Sequence, residues 1–134
     1  GQGAKCLPGA LQVCQTLSRM AKLYIITNGI SKTQRQRIQN SGLLPFLSGV
    51  IISQDTGFQK PQEGFFAYTM QKLPHQDKSR MLVVGDSLTS DIEGGNRFGI
   101  DTCWFNPQHA PNPAKVACTY EIHDLQELIP LIKG

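Results

Sequence analysis

The chain has 134 residues, of which 40% are hydrophobic and 17% are charged, and its formal net charge is +3. This length and composition are typical of one globular domain with a core of its own, over residues 1–134. No apolar run is long enough to cross a membrane, and no segment has the pattern of a secretory signal. We therefore expect a cytoplasmic protein with no membrane partner.

The positive charges cluster weakly at Lys32, Arg35 and Arg37. No aromatic residues lie between them, so a nucleic-acid strand would find no stacking platform there. We expect a solvated helix face and no nucleic-acid partner. The four cysteines form no C-x-x-C pair and fit no zinc ribbon, which predicts free thiols in a reducing compartment.

In chain order, apolar residues at helical spacing predict a first helix over residues 8–20. A short apolar run then predicts a strand over 23–26. Ser31 followed by Gln34 matches a capping box, so a largely polar helix is predicted to begin there and to end at Gly42.

The middle of the chain predicts a short strand over 50–52, followed by a loop over 53–59. Lys60-Pro61 is predicted to open the next helix, because proline is tolerated in a first helical turn. This helix has an apolar face and is predicted to end at Pro74.

Three further strands are predicted over 80–85, 102–105 and 120–122, with a proline-containing loop over 106–113. Asp124 is predicted to cap a final helix. Strands that alternate with helices predict an α/β fold, with a three-layer arrangement of a parallel sheet and helices on both faces.

Two carboxylates follow the strand over 80–85. Asp86 comes directly after that strand, and Asp91 lies at the start of a short helix that is predicted to stop at Gly99. Ligands bind at the carboxyl ends of strands in open α/β sheets, and a pair of hard oxygen ligands suits Mg²⁺. The alternative is that Asp86 caps a turn and Asp91 caps the helix or faces solvent.

The order of three motifs resembles the haloacid dehalogenase (HAD) superfamily. A strand ends in Thr27-Asn28-Gly29, Lys60-Pro61 follows, and a second strand ends in Gly85-Asp86 with Asp91 five residues on. Most members of that superfamily are Mg²⁺-dependent phosphohydrolases with a Rossmann-like core. The resemblance covers nearly the whole chain. Because most members hydrolyse phosphate esters, it implies that the complete enzyme acts on a phosphorylated small molecule.

The resemblance also implies residue roles. The Thr27 hydroxyl would hold the transferring phosphate, helped by the backbone N–H groups of Asn28 and Gly29. Lys60 would place its ammonium group against the phosphate as a point charge. Asp86 would be a direct Mg²⁺ ligand, and Asp91 would complete the metal site by orienting metal-bound water or backbone.

One family motif does not occur in the 134 residues. The family's nucleophile is an aspartate in a D-x-D-x-T/V motif on an earlier strand, and this sequence contains no such motif. A Leu-Pro-Gly like Leu7-Pro8-Gly9 marks the return from cap to core in capped members. The resemblance therefore implies an incomplete core that lacks the first strand and the cap, with weak Mg²⁺ binding and no catalysis by this chain alone.

Within the family, residues 27–29, 53–60 and 102–106 resemble the capped pyrimidine nucleotide 5′-phosphatases. That resemblance implies a nucleoside monophosphate as substrate. Two alternatives stay open: a fragment of a longer enzyme, and a non-catalytic short protein that acts as an oligomeric binding module. In the family, the first strand lies between the strands predicted here over 23–26 and 81–85. Without that strand, these two strands can close directly on each other, or a second copy can pair with the open sheet, and of the two we expect the homodimer.

Overall fold

The computed structural model describes residues 9–134. The chain forms two compact units, and each is described by itself below. The first unit comprises the chain up to Gly57 together with Leu125–Gly134, and the second is Phe58–Asp124. The single domain expected over residues 1–134 stays a prediction. No helix in the described part of the chain is long and apolar enough to cross a membrane.

The described residues form six α-helices and five strands. The helices are α1 (Ala10–Leu17), α2 (Ser31–Ser41), α3 (Ser53–Thr56), α4 (Glu63–Gln71), α5 (Glu93–Phe98) and α6 (Leu128–Lys133). The strands are β1 (Tyr24–Thr27), β2 (Gly49–Ile52), β3 (Leu82–Gly85), β4 (Asp101–Phe105) and β5 (Tyr120–Ile122).

In the first unit, β1 and β2 form a parallel pair in which Thr27 lies opposite Ile52. Both strands therefore end at the same edge of this pair. Helix α1 lies against α6. The apolar faces of these helices supply buried core residues, among them Val13, Leu17 and Leu128.

In the second unit, β3, β4 and β5 form a parallel sheet in that order. Gly85 lies opposite Trp104 in the register of the first pair. Helix α4 packs on α5, and the rings of Phe66 and Phe98 stack with centroids 5.9 Å apart. A π-helical turn, Leu88–Ile92, connects β3 to α5. The loop after β3 therefore bends tightly before the helix begins.

These elements confirm the predicted α/β class with parallel strands. All five predicted strands form, each within two residues of its predicted bounds. The predicted stops at Gly42 and Gly99 are also confirmed, because both residues end a helix in the left-handed conformation, with φ of 78° and 90°. Glycine adopts this conformation at little steric cost.

The predicted capping box at Ser31 is wrong. Ile30 is the N-cap residue of α2 and Ser31 is already helical, without a side-chain cap. The backbone N–H of Ser31 donates instead to Oε1 of Gln54, at 2.6 Å. Residues 53–56, predicted as loop, form the short helix α3. A side chain of this helix, Gln54, thus accepts the hydrogen bond from the first backbone N–H of α2.

One other predicted helix start is also wrong. Helix α4 begins at Glu63 rather than at Lys60-Pro61, because Gln62 N donates to Gln59 O and closes a turn before the helix. The final helical segment begins with a 3₁₀ turn at Leu125–Glu127 and continues as α6, and the predicted cap at Asp124 stays a prediction. The predicted start of the first helix at Pro8 lies outside the described residues.

β3 is the edge strand of its sheet within the described residues. Val84, in the middle of this apolar strand, is 37% exposed, whereas its neighbour Val83 is buried. An edge strand that exposes a β-branched apolar residue is a template for pairing with another chain.

We therefore predict that the chain forms a dimer at tens of micromolar. Size-exclusion chromatography with light scattering measures the mass directly. Val84→Lys should shift the mass toward that of a monomer, because a lysine on an edge strand opposes pairing. A monomeric mass for the unaltered chain would reject the dimer.

Candidate functional site

Thr27 ends β1 with its side chain buried. The amide Nε2 of Gln34, on α2, donates to Thr27 Oγ1 at 2.6 Å and lies 3.4 Å from the carbonyl oxygen of Asn28. The Thr27 hydroxyl in turn donates to Asn28 O at 3.3 Å. A hydroxyl at the carboxyl end of the strand is thus held by the first turn of the next helix.

Gly29 follows with a backbone that requires glycine. Its φ is +148°, and a Cβ built at this position would lie 2.9 Å from Cγ of Gln34. The Gly29 N–H donates to Ser53 Oγ at 2.8 Å. A phosphate oxygen that took this N–H, as the sequence predicts, would therefore have to displace Ser53.

An exposed ion pair also links helices α2 and α3. Arg35 Nη2 lies 2.9 Å from Asp55 Oδ2, and Ser31 Oγ donates to the same carboxylate oxygen at 3.2 Å. Exposed pairs contribute little stability because water screens both charges. The sequence analysis did not predict that Gln34 and Ser53 contact the Thr27–Gly29 segment. The one sequence signal for such contacts is the high content of polar residues in α2 and α3.

In the second unit, Lys60 and Asp91 form a buried ion pair. Lys60 Nζ lies 2.6 Å from Asp91 Oδ1, and the two side chains are 10% and 8% exposed. The second carboxylate oxygen accepts a hydrogen bond from Ser87 N at 3.3 Å. Any Cβ at Gly85 would overlap this carboxylate, so glycine is required at the end of β3.

This pair joins two residues that the sequence predicted for different tasks. The carboxylate of Asp91 contacts the Lys60 ammonium and accepts a hydrogen bond from the backbone N–H of Ser87. Its part in a metal site stays a prediction, as does the contact of Lys60 with phosphate.

Asp86 differs from Asp91 in every respect that matters for a cation. It is exposed, and its carboxylate accepts no hydrogen bond from the described residues. Its backbone oxygen accepts a hydrogen bond from Trp104 Nε1 at 3.1 Å, which fixes the loop to β4. A single charged oxygen at a strand end fits Mg²⁺, which takes most of its ligands from water and phosphate.

No cluster of three or more metal-ligating side chains occurs among residues 9–134. The donor set therefore fits a weakly held Mg²⁺ and does not fit a protein-enclosed metal such as structural zinc.

The strand β4 supports this loop from the core. Trp104 and Phe105 are buried and belong to the core. Asn106 is also buried, and its amide group hydrogen-bonds to Ala110 and Glu121. Its hydrogen bond lowers the pKa of the Glu121 carboxyl, with a smaller effect from His123. Asn106 therefore has a structural role in the loop that follows β4.

The described cysteines are free thiols, as predicted: Cys14, Cys103 and Cys118. Burial raises the pKa of the Cys14 thiol. Burial, and then the charge of Glu121, raise the pKa of Cys118. A raised thiol pKa disfavours the reactive thiolate form of Cys14 and Cys118.

Comparison with known proteins identifies related chains. The family model described as haloacid dehalogenase-like hydrolase matches residues 2–99. YfnB of Bacillus subtilis, which carries the name of a HAD-hydrolase, is 43% identical over 131 residues, which is 98% of this chain and 56% of that protein. A crystal structure of YfnB bound to magnesium superposes with a TM-score of 0.93 at 42% identity, covering 98% of this chain and 57% of that one.

Two relatives carry the name pyrimidine 5′-nucleotidase. YjjG of Escherichia coli is 38% identical over 94% of this chain, and PynA of Streptococcus pneumoniae is 40% identical over 96%. The match covers 56% of YjjG and 54% of PynA. The chain thus spans about half the length of the curated relatives it matches.

The Lys60–Asp91 pair generates a stability prediction. Asp91→Asn leaves the Lys60 ammonium buried without its charge partner, so the free energy of unfolding should fall by about 3 kcal/mol. Urea denaturation followed by circular dichroism measures this change.

Asp55→Asn is the matched control, because it removes one carboxylate from the exposed pair with Arg35. The control should cost less than about 1 kcal/mol. Equal losses in the two variants would show that the buried pair has no special weight in the fold.

Proposed function

Because the chain belongs to the haloacid dehalogenase-like hydrolase family, we propose that it supplies the phosphate-binding and metal-binding groups of a phosphomonoester hydrolase. The observation that carries the proposal is the buried pair between Lys60 and Asp91, since Asp91 belongs to the loop that bears Asp86. The loop places two carboxylates after a parallel strand, at the end where α/β proteins bind ligands, and the ammonium group of Lys60 contacts one of them.

Each residue has a distinct proposed task. Thr27 donates its hydroxyl proton to a phosphate oxygen, and the backbone of Asn28 and Gly29 shapes the loop around it. Lys60 offsets negative charge on the phosphate while Asp91 keeps the ammonium in place. Asp86 holds Mg²⁺, which when bound neutralises charge on the transferring group. All of this is electrostatic stabilisation by groups that are already positioned.

The covalent step of the family needs an aspartate nucleophile, whose carboxylate oxygen attacks phosphorus, breaks the ester P–O bond and releases the alcohol to give an aspartyl-phosphate. The D-x-D-x-T/V motif that supplies it does not occur in the 134 residues. The groups described here can bind and polarise a phosphate, but they do not include the attacking carboxylate. We therefore propose that this chain does not turn over substrate alone.

We propose a pyrimidine nucleoside monophosphate as the substrate class of the complete enzyme. The support is the 38% and 40% identity to two proteins named as pyrimidine 5′-nucleotidases. The segment around Trp104 and Asn106 carries part of the same resemblance.

The second candidate function is a non-catalytic module that acts as an oligomer. The exposed Val84 on the edge strand β3 favours it. In this case the chain would dimerise and bind no phosphate, so binding measurements separate the two candidates.

The test of the proposed function is the binding of inorganic phosphate in the presence of Mg²⁺, measured by isothermal titration calorimetry. The chain should bind phosphate weakly, and Lys60→Ala should weaken binding at least about tenfold, since a charge-assisted contact is worth roughly 1.5–3 kcal/mol. Lys72→Ala, which removes an exposed lysine from the end of α4, is the matched control and should bind like the unaltered chain.

A turnover assay on uridine and cytidine monophosphates completes this test. No phosphate release is expected from the chain alone. Phosphate binding that is unchanged in Lys60→Ala would overturn the assignment of Lys60. Turnover that is abolished by Lys60→Ala or Asp86→Ala would show that another residue of the chain attacks phosphorus.

A further inference from the structure

Gln34 is a buried polar residue on an otherwise exposed polar helix. It is 7% exposed, while most of its neighbours on α2 face solvent. Its amide Nε2 lies 2.6 Å from Thr27 Oγ1, and its Oε1 accepts a hydrogen bond from Arg37 Nη1 at 3.2 Å. Burying an amide costs free energy unless it is hydrogen-bonded, so both ends of this side chain are constrained.

The contact with Arg37 determines which way the amide faces. A guanidinium group can only donate hydrogen bonds, so the atom that it contacts is the amide oxygen. The amino end of Gln34 therefore faces Thr27 and donates to its hydroxyl. The hydroxyl has one proton, and that proton must point away from Gln34.

Among residues 9–134, the Thr27 proton has a poor acceptor. It points to Asn28 O at 3.3 Å, well beyond the usual 2.7–2.8 Å for a hydroxyl donor. An anion oxygen at the end of β1 would accept this proton with better geometry. Gly29 makes the arrangement sterically feasible, because a side chain there would collide with Gln34.

We propose that Gln34 is a positioning residue that sets the direction of the Thr27 hydroxyl, so that its proton is donated to a bound phosphate oxygen. This inference rests on the proposed function, in which Thr27 binds phosphate. Gln34 itself does not touch the ligand. Its contribution is to occupy the acceptor side of Thr27 Oγ1 in advance, which lowers the cost of ordering the hydroxyl when the anion binds.

The test replaces the donor at position 34 and measures the affinity for sulfate. Sulfate is a tetrahedral dianion that does not titrate between pH 5 and 7.5, so changes with pH come from the protein. Gln34→Glu keeps the shape, but its carboxylate only accepts hydrogen bonds at pH 7.5, so it should turn the Thr27 hydroxyl inward and weaken sulfate binding at least about tenfold at that pH.

The pH profile separates positioning from packing. Burial raises the pKa of a carboxyl group, whereas the Arg37 guanidinium, which donates to Oε1 of Gln34, would lower it. The profile is therefore measured in an Arg37→Gln background, in which burial favours protonation of the glutamate on acidification and the protonated acid can donate to Thr27. Affinity for sulfate should therefore recover at pH 5 in Gln34→Glu. Gln39→Glu, an equal charge change on the exposed face of the same helix, should bind like the unaltered chain at both pH values.

Gln34→Met separates the hydrogen bond from the charge, because methionine has a similar length without a donor or a charge. It should weaken sulfate binding about threefold to tenfold at both pH values. If it binds as tightly as the unaltered chain, the effect of glutamate is charge alone and the inference is overturned. If Gln34→Met does not fold, the recovery of Gln34→Glu at pH 5 decides, and its absence overturns the inference.

Thr27→Val distinguishes this inference from the proposed function. If Thr27→Val keeps full affinity, or if the unaltered chain binds no sulfate, the proposed phosphate site fails and the inference fails with it. If Thr27→Val weakens binding while both Gln34 variants bind normally, the phosphate site stands and only the role of Gln34 is lost.

Discussion

The buried ion pair between Lys60 and Asp91 is the constraint on which the second unit depends. The two side chains are 10% and 8% exposed, so both charges have lost most of their hydration. The attraction between them offsets this desolvation cost, whereas either charge alone would be strongly destabilising. The pair joins residues 31 positions apart and so fixes the loop after β3 against the segment before α4. It also explains the glycine at position 85, which leaves room for the Asp91 carboxylate.

This pair divides the work between two carboxylates in one loop. Asp91 is neutralised by Lys60 and hydrogen-bonded to the backbone, so it is a structural anion first. Asp86 is exposed, with its backbone held by Trp104, and its carboxylate is available to a cation. Similar residues with different surroundings thus acquire different chemistry.

In the first unit, the proposed ligand-binding residues are likewise held by other side chains, here through hydrogen bonds between neutral groups. Thr27 and Gly29 end a short strand, and side chains from later elements, Gln34 and Ser53, hold them. In each unit the residue proposed to meet the ligand is fixed by a partner that does not meet it. Supporting shells of this kind are what keep a binding geometry accurate, because they remove alternative rotamers before the ligand arrives.

The sequence predicted the parts of this fold that local patterns determine. Apolar runs identified all five strands, and Gly42 and Gly99 identified two helix ends. Ser31 and Gln34 had the spacing of a capping box. In the structure, however, the backbone N–H of Ser31 donates to Gln54 and the side chain of Gln34 donates to Thr27, so tertiary contacts replaced the local pattern. The Lys60–Asp91 contact could not be predicted as a pair, because its members are far apart in the chain and each had another plausible task.

Titration with Mg²⁺ by calorimetry tests the central claim most directly, namely that Asp86 is the residue that meets the cation. The account predicts weak binding, with a dissociation constant on the order of millimolar, since one carboxylate leaves the ion mostly to water. Binding should disappear in Asp86→Ala and persist in Asp77→Ala, which removes an exposed carboxylate from a turn of the same unit. Tight binding that survives Asp86→Ala would contradict the account.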